Sequence, residues 1–425
     1  MGTQWLARLR RAWVAFLVVA VIAAIIVFSG SHRAFLLGIL IFIFALMASV
    51  MLHELGHFLT AKKFGMRVTQ FFLGFGATLW STFRGETEYG VKALWLGGFV
   101  KITGMTSVEE VDVADEPRSF RNQPGWQRII VLAAGSFMHF MLALFLLFIV
   151  AAGIGLETAS AGTTVGTVES CVPANLNSGC VKGDPASPAT QAGVKVGDRI
   201  VSIGGIRVNS WTQMGNAIRS QQVGREVPVV VDRHGRLVTL HATLASLTGH
   251  GSYLGVSPTA VFRPVGPVSS ASYAGHEFWT MLSGSASVVA SLPRAIPDLF
   301  AKNRADTPGG QVTSVVGAGD VTGQVLAAKI GWQPKAALVL LIIASLNIFV
   351  GAFNLLPLLP LDGGHLAVVI YERIRYWLAR LFRRPDPGPV DYRRLVPLSV
   401  GVFALLVGVG LLLIMADLVN PVHLQ

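Results

Sequence analysis

Long apolar runs dominate the pattern of hydrophobic and polar positions along the chain. Five of these runs are about as long as the roughly 20 residues that a helix needs to cross a bilayer. They cover residues 12–30, 34–52, 129–156, 336–361 and 395–416. The first run is not followed by a small-residue cleavage site and a polar domain, so we expect a retained anchor rather than a signal peptide. The pattern predicts a polytopic α-helical membrane protein with about five spans.

The composition and charge of the chain agree with this prediction. Of its 425 residues, 52% are apolar and only 13% are charged, which is about half the charged share of a typical soluble domain. These proportions exclude a purely cytosolic enzyme and a disordered chain. The net charge is +11, but the Lys and Arg residues flank the apolar runs. We therefore expect contact with membrane lipid and no binding of nucleic acid.

The positions of the basic residues predict the orientation of the spans. Lys and Arg cluster at residues 8–11, 62–67 and 373–394, which fall on the same face of the membrane if the five runs cross it in turn. That face is expected to be the cytoplasm. The N-terminus is then cytoplasmic, whereas residues 157–335 and the C-terminus lie outside.

The segment between the third and fourth runs has the composition of a soluble domain. Within it, residues 186–244 combine turn signals, short β-prone stretches and one helical stretch. Three short motifs resemble those of a bacterial PDZ domain, namely Pro185-Ala186, Ala192-Gly193-Val194 and Gly197-Asp198-Arg199-Ile200. The resemblance implies an extracytoplasmic α+β domain whose sheet edge binds a peptide, with a rigid cap that only blocks access as the alternative.

Cys171 and Cys180 are the two cysteines of the chain, and both lie in the segment that is expected to face the outside. That compartment is oxidising and the loop between the two residues is short, so we expect a disulfide; two unpaired thiols are the alternative. The pair has no further ligands nearby that would make a zinc site.

The second apolar run passes directly into an H-E-x-x-H motif, His53-Glu54-Leu55-Gly56-His57. On a helix, residues four apart share a face, so both imidazoles can bind one Zn²⁺ while Glu54 reaches a water molecule beside it. Two His and a Glu at membrane depth are costly unless they face a polar interior or a metal. We therefore predict metal ligation by His53 and His57 and a general base at Glu54; a helix end at the membrane interface is the alternative.

A catalytic zinc site takes a third protein ligand and leaves the fourth position open. The fourth apolar run supplies a candidate, since Asp362 follows two prolines, Pro357 and Pro360, that cannot continue a regular helix. An acid at a helix break within a membrane span is poorly explained by structure alone. Asp362 is thus the predicted third ligand of a single Zn²⁺, with His365 as the alternative.

Together these motifs resemble the site-2 protease family of intramembrane zinc proteases. The resemblance rests on the early H-E-x-x-H motif, on the late motif Asn-x-x-Pro-x-x-Pro-x-Asp-Gly that begins at Asn354, and on the PDZ-like segment between them. It extends over nearly the whole chain from about residue 36. Residues 74–76 and 89–104 add a likeness to the actinobacterial branch, which includes a mycobacterial protease of anti-sigma factors. The additional first span departs from the family pattern.

The resemblance implies a zinc metalloendopeptidase in the bacterial cytoplasmic membrane. It would hydrolyse peptide bonds within or near the transmembrane segment of single-span substrates such as anti-sigma factors, as the second cut after another protease has trimmed them outside. A non-proteolytic PDZ scaffold and a zinc transporter are alternatives, although neither needs Glu54 beside His53. A metalloprotease of another architecture would take its third ligand from Glu109, Glu110 or Glu116, which lack a helical context.

Four further residues are expected to contact the substrate or the oxyanion of the reaction. Residues 85–105 are β-prone and resemble the membrane-associated hairpin of the family, so Gly97 and Gly98 are candidate positions for pairing with an extended substrate. A cytoplasmic hairpin without a partner is the alternative. Asn354 is a candidate at the helix break. Members of the family often carry an Asn where this chain has His139, so His139 is expected to act as a donor near the metal or, alternatively, to face another helix.

The predicted organisation divides the chain into nine segments. They are an N-terminal span (1–33), the catalytic span (34–68), a hairpin region (69–126), the third span (127–156), the PDZ domain (157–250), an outside linker or helical region (251–335), the span with Asp362 (336–378), a basic cytoplasmic loop (379–394) and the last span with the C-terminus (395–425). The expected fold is a polytopic α-helical membrane protein with an extracytoplasmic PDZ domain and a membrane-associated β-hairpin.

Overall fold

The computed structural model describes residues 33–105, 109–160, 162–173, 180, 183–247, 251–301, 304 and 312–421. The predicted first span, residues 12–30, lies outside these residues. The described chain forms two compact units, of which one is Ile154–Val265 and the other, the helical unit, comprises the residues on either side of it. Within the described residues, four helices are long and apolar enough to cross a membrane, namely Arg33–Lys63, Gly125–Ile154, Trp332–Asn354 and Tyr392–Val419.

Helix α1 spans Arg33–Lys63 and is longer than the apolar run that predicted it. It continues through the H-E-x-x-H motif because residues 53–63 contain no proline and end in two lysines, which favour a helix C-terminus. Gly65 then adopts a left-handed conformation (φ 75°), and the N–H of Met66 donates to the carbonyl oxygen of Ala61 (2.9 Å). Glycine commonly ends a helix in this way.

Strands β1 (Val68–Arg84) and β2 (Thr87–Ile102) form a long antiparallel hairpin. The predicted β stretch, residues 85–105, contains β2, whereas β1 lies in the predicted hairpin region, residues 69–126, without having been identified as a strand. The pattern missed β1 because Gly74 and Gly76 interrupt it. Both glycines adopt positive φ angles (85° and 82°) in a part of the hairpin where the strand register shifts.

Helix α2 spans Gly125–Ile149 and passes into a π-helical turn, Val150–Ile154. Its first half packs against the C-terminal end of α1 and the start of β1. The buried apolar side chains of this contact include Ala61, Met66, Val68, Val131 and Leu132. This packing brings α2 alongside the part of α1 that carries the H-E-x-x-H motif.

The unit Ile154–Val265 consists of short strands with two short helices in its described residues. In chain order they are β3 (Leu156–Ala159), β4 (Val165–Val168), α3 (Pro188–Ala192), β5 (Arg199–Ile203), β6 (Ile206–Arg207), α4 (Trp211–Arg219), β7 (Glu226–Arg233), β8 (Arg236–Thr243), β9 (Ala245–Leu247), β10 (Gly251–Tyr253), β11 (Val256–Pro258) and β12 (Ala260–Arg263). An antiparallel sheet has the strand order β6-β5-β7-β8. The pairs β3 with β12, β4 with β11 and β9 with β10 form two-stranded sheets.

The predicted end of this unit at residue 250 is too early, because β11 and β12 return to pair with β4 and β3. A buried apolar core holds the unit together and includes Ile200, Ile203, Met214, Val229 and Leu244. The structure joins Cys171 and Cys180 in a disulfide. The assignment of the unit as a PDZ domain stays a prediction.

The chain is helical again after residue 265. The helices are α5 (Pro267–Leu299), α6 (Val315–Ala327), α7 (Trp332–Asn354), α8 (Asp362–Leu381) and α9 (Tyr392–Val419). The fourth apolar run is therefore not one helix. It ends as a helix at Asn354, and the following residues 355–361 contain the two prolines that prevent its continuation.

Candidate metal centre

The H-E-x-x-H motif and Asp362 meet at one point of the helical unit. Asp362 Oδ2 lies 3.1 Å from His53 Nε2 and 3.2 Å from His57 Nε2, and the two Nε2 atoms are 3.1 Å apart. The three atoms thus form a nearly equilateral triangle. Among the described residues, these three side chains are the group of His, Cys, Asp and Glu that could hold a metal ion.

The orientation of the His57 ring shows which of its nitrogens faces the centre of this group. His57 Nδ1–H donates to the carbonyl oxygen of Val131 on α2 (2.7 Å). In the neutral ring, Nε2 then presents a lone pair to Asp362 Oδ2, which is also an acceptor. Two acceptors that face one another at 3.2 Å repel unless a cation lies between them.

Helix α2 approaches the two histidines closely because it carries Gly135 beside them. A Cβ atom at Gly135 would overlap with the rings of both His53 and His57. Gly56 has the equivalent position on α1, where a Cβ atom would lie 2.5 Å from the carbonyl oxygen of Ala134. The two glycines therefore let α1 and α2 pack at backbone distance around the site.

The break between α7 and α8 places Asp362. Gly363 and Gly364 lie directly against the backbone of residues 355–359, and a Cβ atom at either glycine would overlap with that backbone. The Asp362 carboxylate stands in the first turn of α8. A negative charge is favourable there because the helix dipole is positive at its N-terminus.

An ion pair fixes α8 to α2. Arg128 Nη1 donates to Glu372 Oε2 (2.9 Å), and the two side chains are only 12% and 13% exposed. Glu372 Oε1 also accepts from the N–H of Val390 (2.9 Å). The pair holds the helix that begins with Asp362 against the helix that contacts both histidines. This ion pair could not be predicted from the sequence because Arg128 and Glu372 lie 244 residues apart.

His365, the alternative third ligand, does not join the triangle. Its ring stacks on that of Tyr392, with the ring centroids 5.8 Å apart. Its Nδ1 atom is buried without a hydrogen-bond partner in the part of the chain that the structure describes. The geometry therefore favours Asp362 over His365.

Glu54 contacts the hairpin. Its Oε2 atom accepts a hydrogen bond from the N–H of Val100 on β2 (2.9 Å). A Cβ atom at Gly98 would lie 3.4 Å from Glu54 Cγ and 2.9 Å from Met51 Sδ, so Gly98 provides room for the side chains of α1. Glu54 Oε1 makes no hydrogen bond to the described residues. One carboxylate oxygen is thus held and the other is available for a proton.

The remaining predicted site residues have different surroundings. Gly97 lies against the ring of Phe75, within the hairpin. Asn354 is the last residue of α7, and its side chain makes no hydrogen bond to the described residues. The His139 ring lies on α2 with its centroid 5.0 Å from that of His53.

His139 faces another helix beside the site, as the alternative for this residue stated, but its partners were not predicted from the sequence. His139 Nδ1 lies 2.7 Å from Asn347 Oδ1, and Asn347 Nδ2 donates to Ser49 Oγ (3.1 Å). His139, Asn347 and Ser49 come from α2, α7 and α1, and each is at most 3% exposed. The signal that could have revealed this contact is an Asn within an apolar span, because polar residues at membrane depth are commonly functional.

The donor set fits a zinc ion. Zinc binds imidazole nitrogen and carboxylate oxygen at about 2.0–2.2 Å in tetrahedral sites, which places donor atoms roughly 3.3–3.5 Å from one another. The observed separations of 3.1–3.2 Å are close to these values. His53, His57 and Asp362 could therefore hold one zinc ion with a fourth position open.

Comparisons with known proteins agree with this chemistry. Residues 40–381 match Peptidase family M50. Zinc metalloprotease Rip1 of Mycobacterium tuberculosis is 36% identical over 92% of this chain and 99% of its own length. Rip1 of Mycolicibacterium smegmatis is 35% identical over 91% and 98%, and metalloprotease MmpA of Caulobacter vibrioides is 27% identical over 80% and 87%. The chain therefore belongs to peptidase family M50, the site-2 protease family, and is a zinc metalloprotease.

Proposed function

We propose that this zinc metalloprotease cleaves peptide bonds within or near the transmembrane segment of single-span membrane proteins. In this proposal His53, His57 and Asp362 hold the Zn²⁺ and Glu54 is the general base. The observation that carries it is the convergence of three donor atoms in a unit whose helices are apolar enough to span a membrane. Ionisable groups are too costly in such surroundings to be kept without a function.

Each residue has a defined task in the proposed reaction. Zinc, when bound, polarises the scissile carbonyl group and makes a water molecule more acidic. Glu54 takes a proton from the attacking water and returns it to the leaving nitrogen. The N–H of Val100 holds one Glu54 oxygen, which leaves the other for the proton. The Val131 carbonyl fixes the His57 ring through Nδ1.

A transmembrane substrate has to unwind before it can be cut, because each carbonyl of a helix is engaged in a backbone hydrogen bond. The hairpin is the proposed holder of the unwound segment, which would add to it as a strand. Gly97 and Gly98 on β2 and Asn354 at the end of α7 are the proposed substrate-contacting residues. The hairpin also exposes large apolar side chains that suit a membrane-embedded partner, including Phe75, Trp80, Phe83, Leu94 and Trp95.

The proposed setting is the bacterial cytoplasmic membrane, with the N-terminus in the cytoplasm and the PDZ-like unit Ile154–Val265 outside. The distribution of Lys and Arg supports this orientation. A single cysteine at position 62 should then resist an impermeant thiol reagent in intact cells, whereas Cys171 and Cys180 should react after reduction. Labelling at position 62, with Cys171 and Cys180 unlabelled, would show that the orientation is the reverse of the proposed one.

We also propose that this protease makes the second of two cuts. A bulky substrate ectodomain would collide with an outside unit, whereas a chain already trimmed outside would pass it or bind to it. Single-span anti-sigma factors trimmed by another protease are the proposed substrates. Replacement of residues 186–244 by a flexible linker should allow untrimmed substrate to be cut. If the linker variant still does not cut untrimmed substrate, the unit does not control substrate access. It would then bind substrate or stabilise the enzyme.

The test of the activity uses the purified full chain in liposomes with a panel of single-span anti-sigma factors, each supplied untrimmed and trimmed. We expect trimmed substrates to be cut in or near their membrane segment, cleavage to stop with a chelator, and cleavage to resume when zinc is restored. Cleavage by protein from which all zinc has been removed would contradict the proposal. So would the survival of every trimmed substrate exposed to zinc-loaded protein.

A further inference from the structure

The two histidines of the H-E-x-x-H motif differ in how their second ring nitrogens are bonded. His57 Nδ1 donates to the Val131 carbonyl. His53 Nδ1 is buried and has no hydrogen-bond partner among the described residues, in a side chain that is only 9% exposed. A histidine that binds a metal almost always donates its other N–H to an acceptor, which fixes its ring and strengthens it as a ligand. His53 therefore needs an acceptor that its own helix does not supply.

The polar contact between α1, α2 and α7 shows which atom of His139 can be that acceptor. Ser49 Oγ donates to the carbonyl oxygen of Ala45 (2.8 Å), so Ser49 uses its only proton there. Asn347 Nδ2 must then be the donor to Ser49 Oγ (3.1 Å), and it also donates to the carbonyl oxygen of Ile343 (2.8 Å). Two acceptors, Ser49 Oγ on α1 and the Ile343 carbonyl on α7, thus identify the amide nitrogen of Asn347, and its oxygen faces His139.

This assignment fixes the tautomer of His139. Asn347 Oδ1 can only accept, so the proton of their hydrogen bond (2.7 Å) belongs to His139 Nδ1. In the neutral ring, Nε2 therefore carries a lone pair and is an acceptor. The His139 ring is tilted by 43° to that of His53, with the centroids 5.0 Å apart. His139 Nε2 makes no hydrogen bond to any described residue.

We infer that His139 is a positioning residue for the zinc ligand His53: when zinc holds His53, a small rotation of the two neighbouring rings lets His53 Nδ1–H donate to His139 Nε2. The inference rests on the proposed function, because it requires His53 to bind zinc. The hydrogen bonds then run from His53 through His139 and Asn347 to Ser49, so that three helices fix the ring of one ligand. This role replaces the donor role predicted for His139, since a neutral ring with its proton on Nδ1 has no proton to give to an oxyanion.

The first test measures zinc affinity, by chelator competition on the purified full chain. His139→Leu and Asn347→Leu should each raise the zinc dissociation constant about 10–100-fold, as is usual when the partner of a metal-bound histidine is removed. The double variant should bind zinc no more weakly than the weaker single variant, because both changes interrupt one chain of hydrogen bonds. Wild-type affinity in either single variant, or additive losses in the double variant, would overturn the inference.

Two controls isolate the effect. Ser136→Ala changes a side chain that is also on α2 and only 1% exposed, but whose hydroxyl has no partner among the described residues. It should keep wild-type zinc affinity. His53→Ala separates this inference from the proposed function: zinc lost in His53→Ala but unaffected in His139→Leu overturns the role of His139 alone. Zinc binding that survives His53→Ala unchanged overturns the proposed ligand set itself.

The second test reads the tautomer and does not depend on the fold of the leucine variants. ¹⁵N NMR of the histidine-labelled full chain, with the His139 signals assigned by their absence in His139→Asn, should show protonated Nδ1 and unprotonated Nε2. The same pattern is expected with and without zinc. A proton on Nε2 with a bare Nδ1 would contradict the inference directly.

Discussion

Two largely buried carboxylates, Asp198 in the unit Ile154–Val265 and Asp362 in the helical unit, have opposite surroundings. In the unit Ile154–Val265, the carboxylate of Asp198 is almost fully buried, and Arg233 donates to both of its oxygens (2.8 and 2.7 Å). In the helical unit, the carboxylate of Asp362 faces the Nε2 atoms of His53 and His57, and a neutral His57 ring presents a lone pair to it. The charge of Asp198 is balanced by Arg233, whereas that of Asp362 can be balanced either by a proton on a neighbouring histidine or by a bound cation.

This difference distinguishes a buried carboxylate that is balanced by protein donors from one whose surroundings suit a metal ion. A buried acid whose partners are all protein donors contributes to stability alone. A buried acid that faces neutral imidazoles lacks a counter-charge until a proton or a cation binds, so its surroundings suit an ion-binding site. We therefore expect substitutions at the candidate metal centre to change zinc affinity and activity. Substitutions around Asp198 should change only the stability of their own unit.

Glu54→Gln should have the largest effect on activity. The amide keeps the size and the Val100 contact of the side chain but cannot take a proton, so cleavage should fall by about 10²–10⁴-fold. Zinc content, measured by metal analysis of the purified chain, should stay at the wild-type value. Turnover close to that of the wild type would show that Glu54 is not the base.

Asp362→Asn should weaken zinc binding and activity together. The substitution removes the negative charge that faces the two imidazoles. A loss of only about 1.4 kcal/mol of binding free energy already makes the zinc dissociation constant tenfold larger. Chelator competition on the full chain measures the change, with His365→Asn as the matched control in the same helix. Normal affinity in Asp362→Asn together with weak binding in His365→Asn would transfer the ligand role to His365.

Gly135→Ala should disturb the centre without removing any ligand. The added methyl group would overlap with the rings of His53 and His57, and overpacking of this kind costs about 1–3 kcal/mol. We expect weaker zinc binding and lower activity. Gly153→Ala is the control, since a Cβ atom there would meet only Ile149 Cγ2 at an ordinary 3.7 Å. Equal behaviour of the two variants would show that close approach of α2 is not required.

Asp198→Asn should have the smallest effect, confined to its own unit. Loss of the charged hydrogen bonds from Arg233 should destabilise that unit by about 1–3 kcal/mol. Hydrogen exchange on the full chain should detect faster exchange within Ile154–Val265, with zinc affinity unchanged. A change in the zinc affinity of Asp198→Asn would show that its effect is not confined to its own unit.

The same pair predicts a pH dependence of that unit. Hydrogen bonds from Arg233 lower the pKa of Asp198 below its ordinary value. The stabilisation is therefore complete above the unfolded pKa of about 4 and is lost as the pH falls through the lower folded pKa. Exchange protection should decline over that range in the wild type and not in Asp198→Asn. A decline of equal size in both would assign the effect to other groups.

Features of the site could be predicted where ionisable residues or prolines interrupt an apolar run. The three residues of the candidate metal centre could be predicted because His53, His57 and Asp362 stand in or beside apolar runs, where such residues are rare. The helix break before Asp362 could be predicted because two prolines precede it. Each signal is local and needs no knowledge of which helices pack together.

Contacts between distant segments could not be predicted in this way. The hydrogen bonds of Val100 to Glu54 and of Val131 to His57 use backbone groups, which leave no trace in residue type. Asn347 is a visible polar residue, but its partner His139 lies 208 positions away. Strand β1 was missed because its glycines, at bulges in the hairpin, resemble turn signals.

X-ray absorption at the zinc edge of the purified full chain shows whether His53, His57 and Asp362 together hold one zinc ion. We expect one zinc per chain, with nitrogen and oxygen ligands at about 2.0–2.2 Å and the scattering pattern of two imidazoles. A shell with sulfur at about 2.3 Å, or a spectrum unchanged in a His57→Ala variant that still binds zinc, would contradict the account.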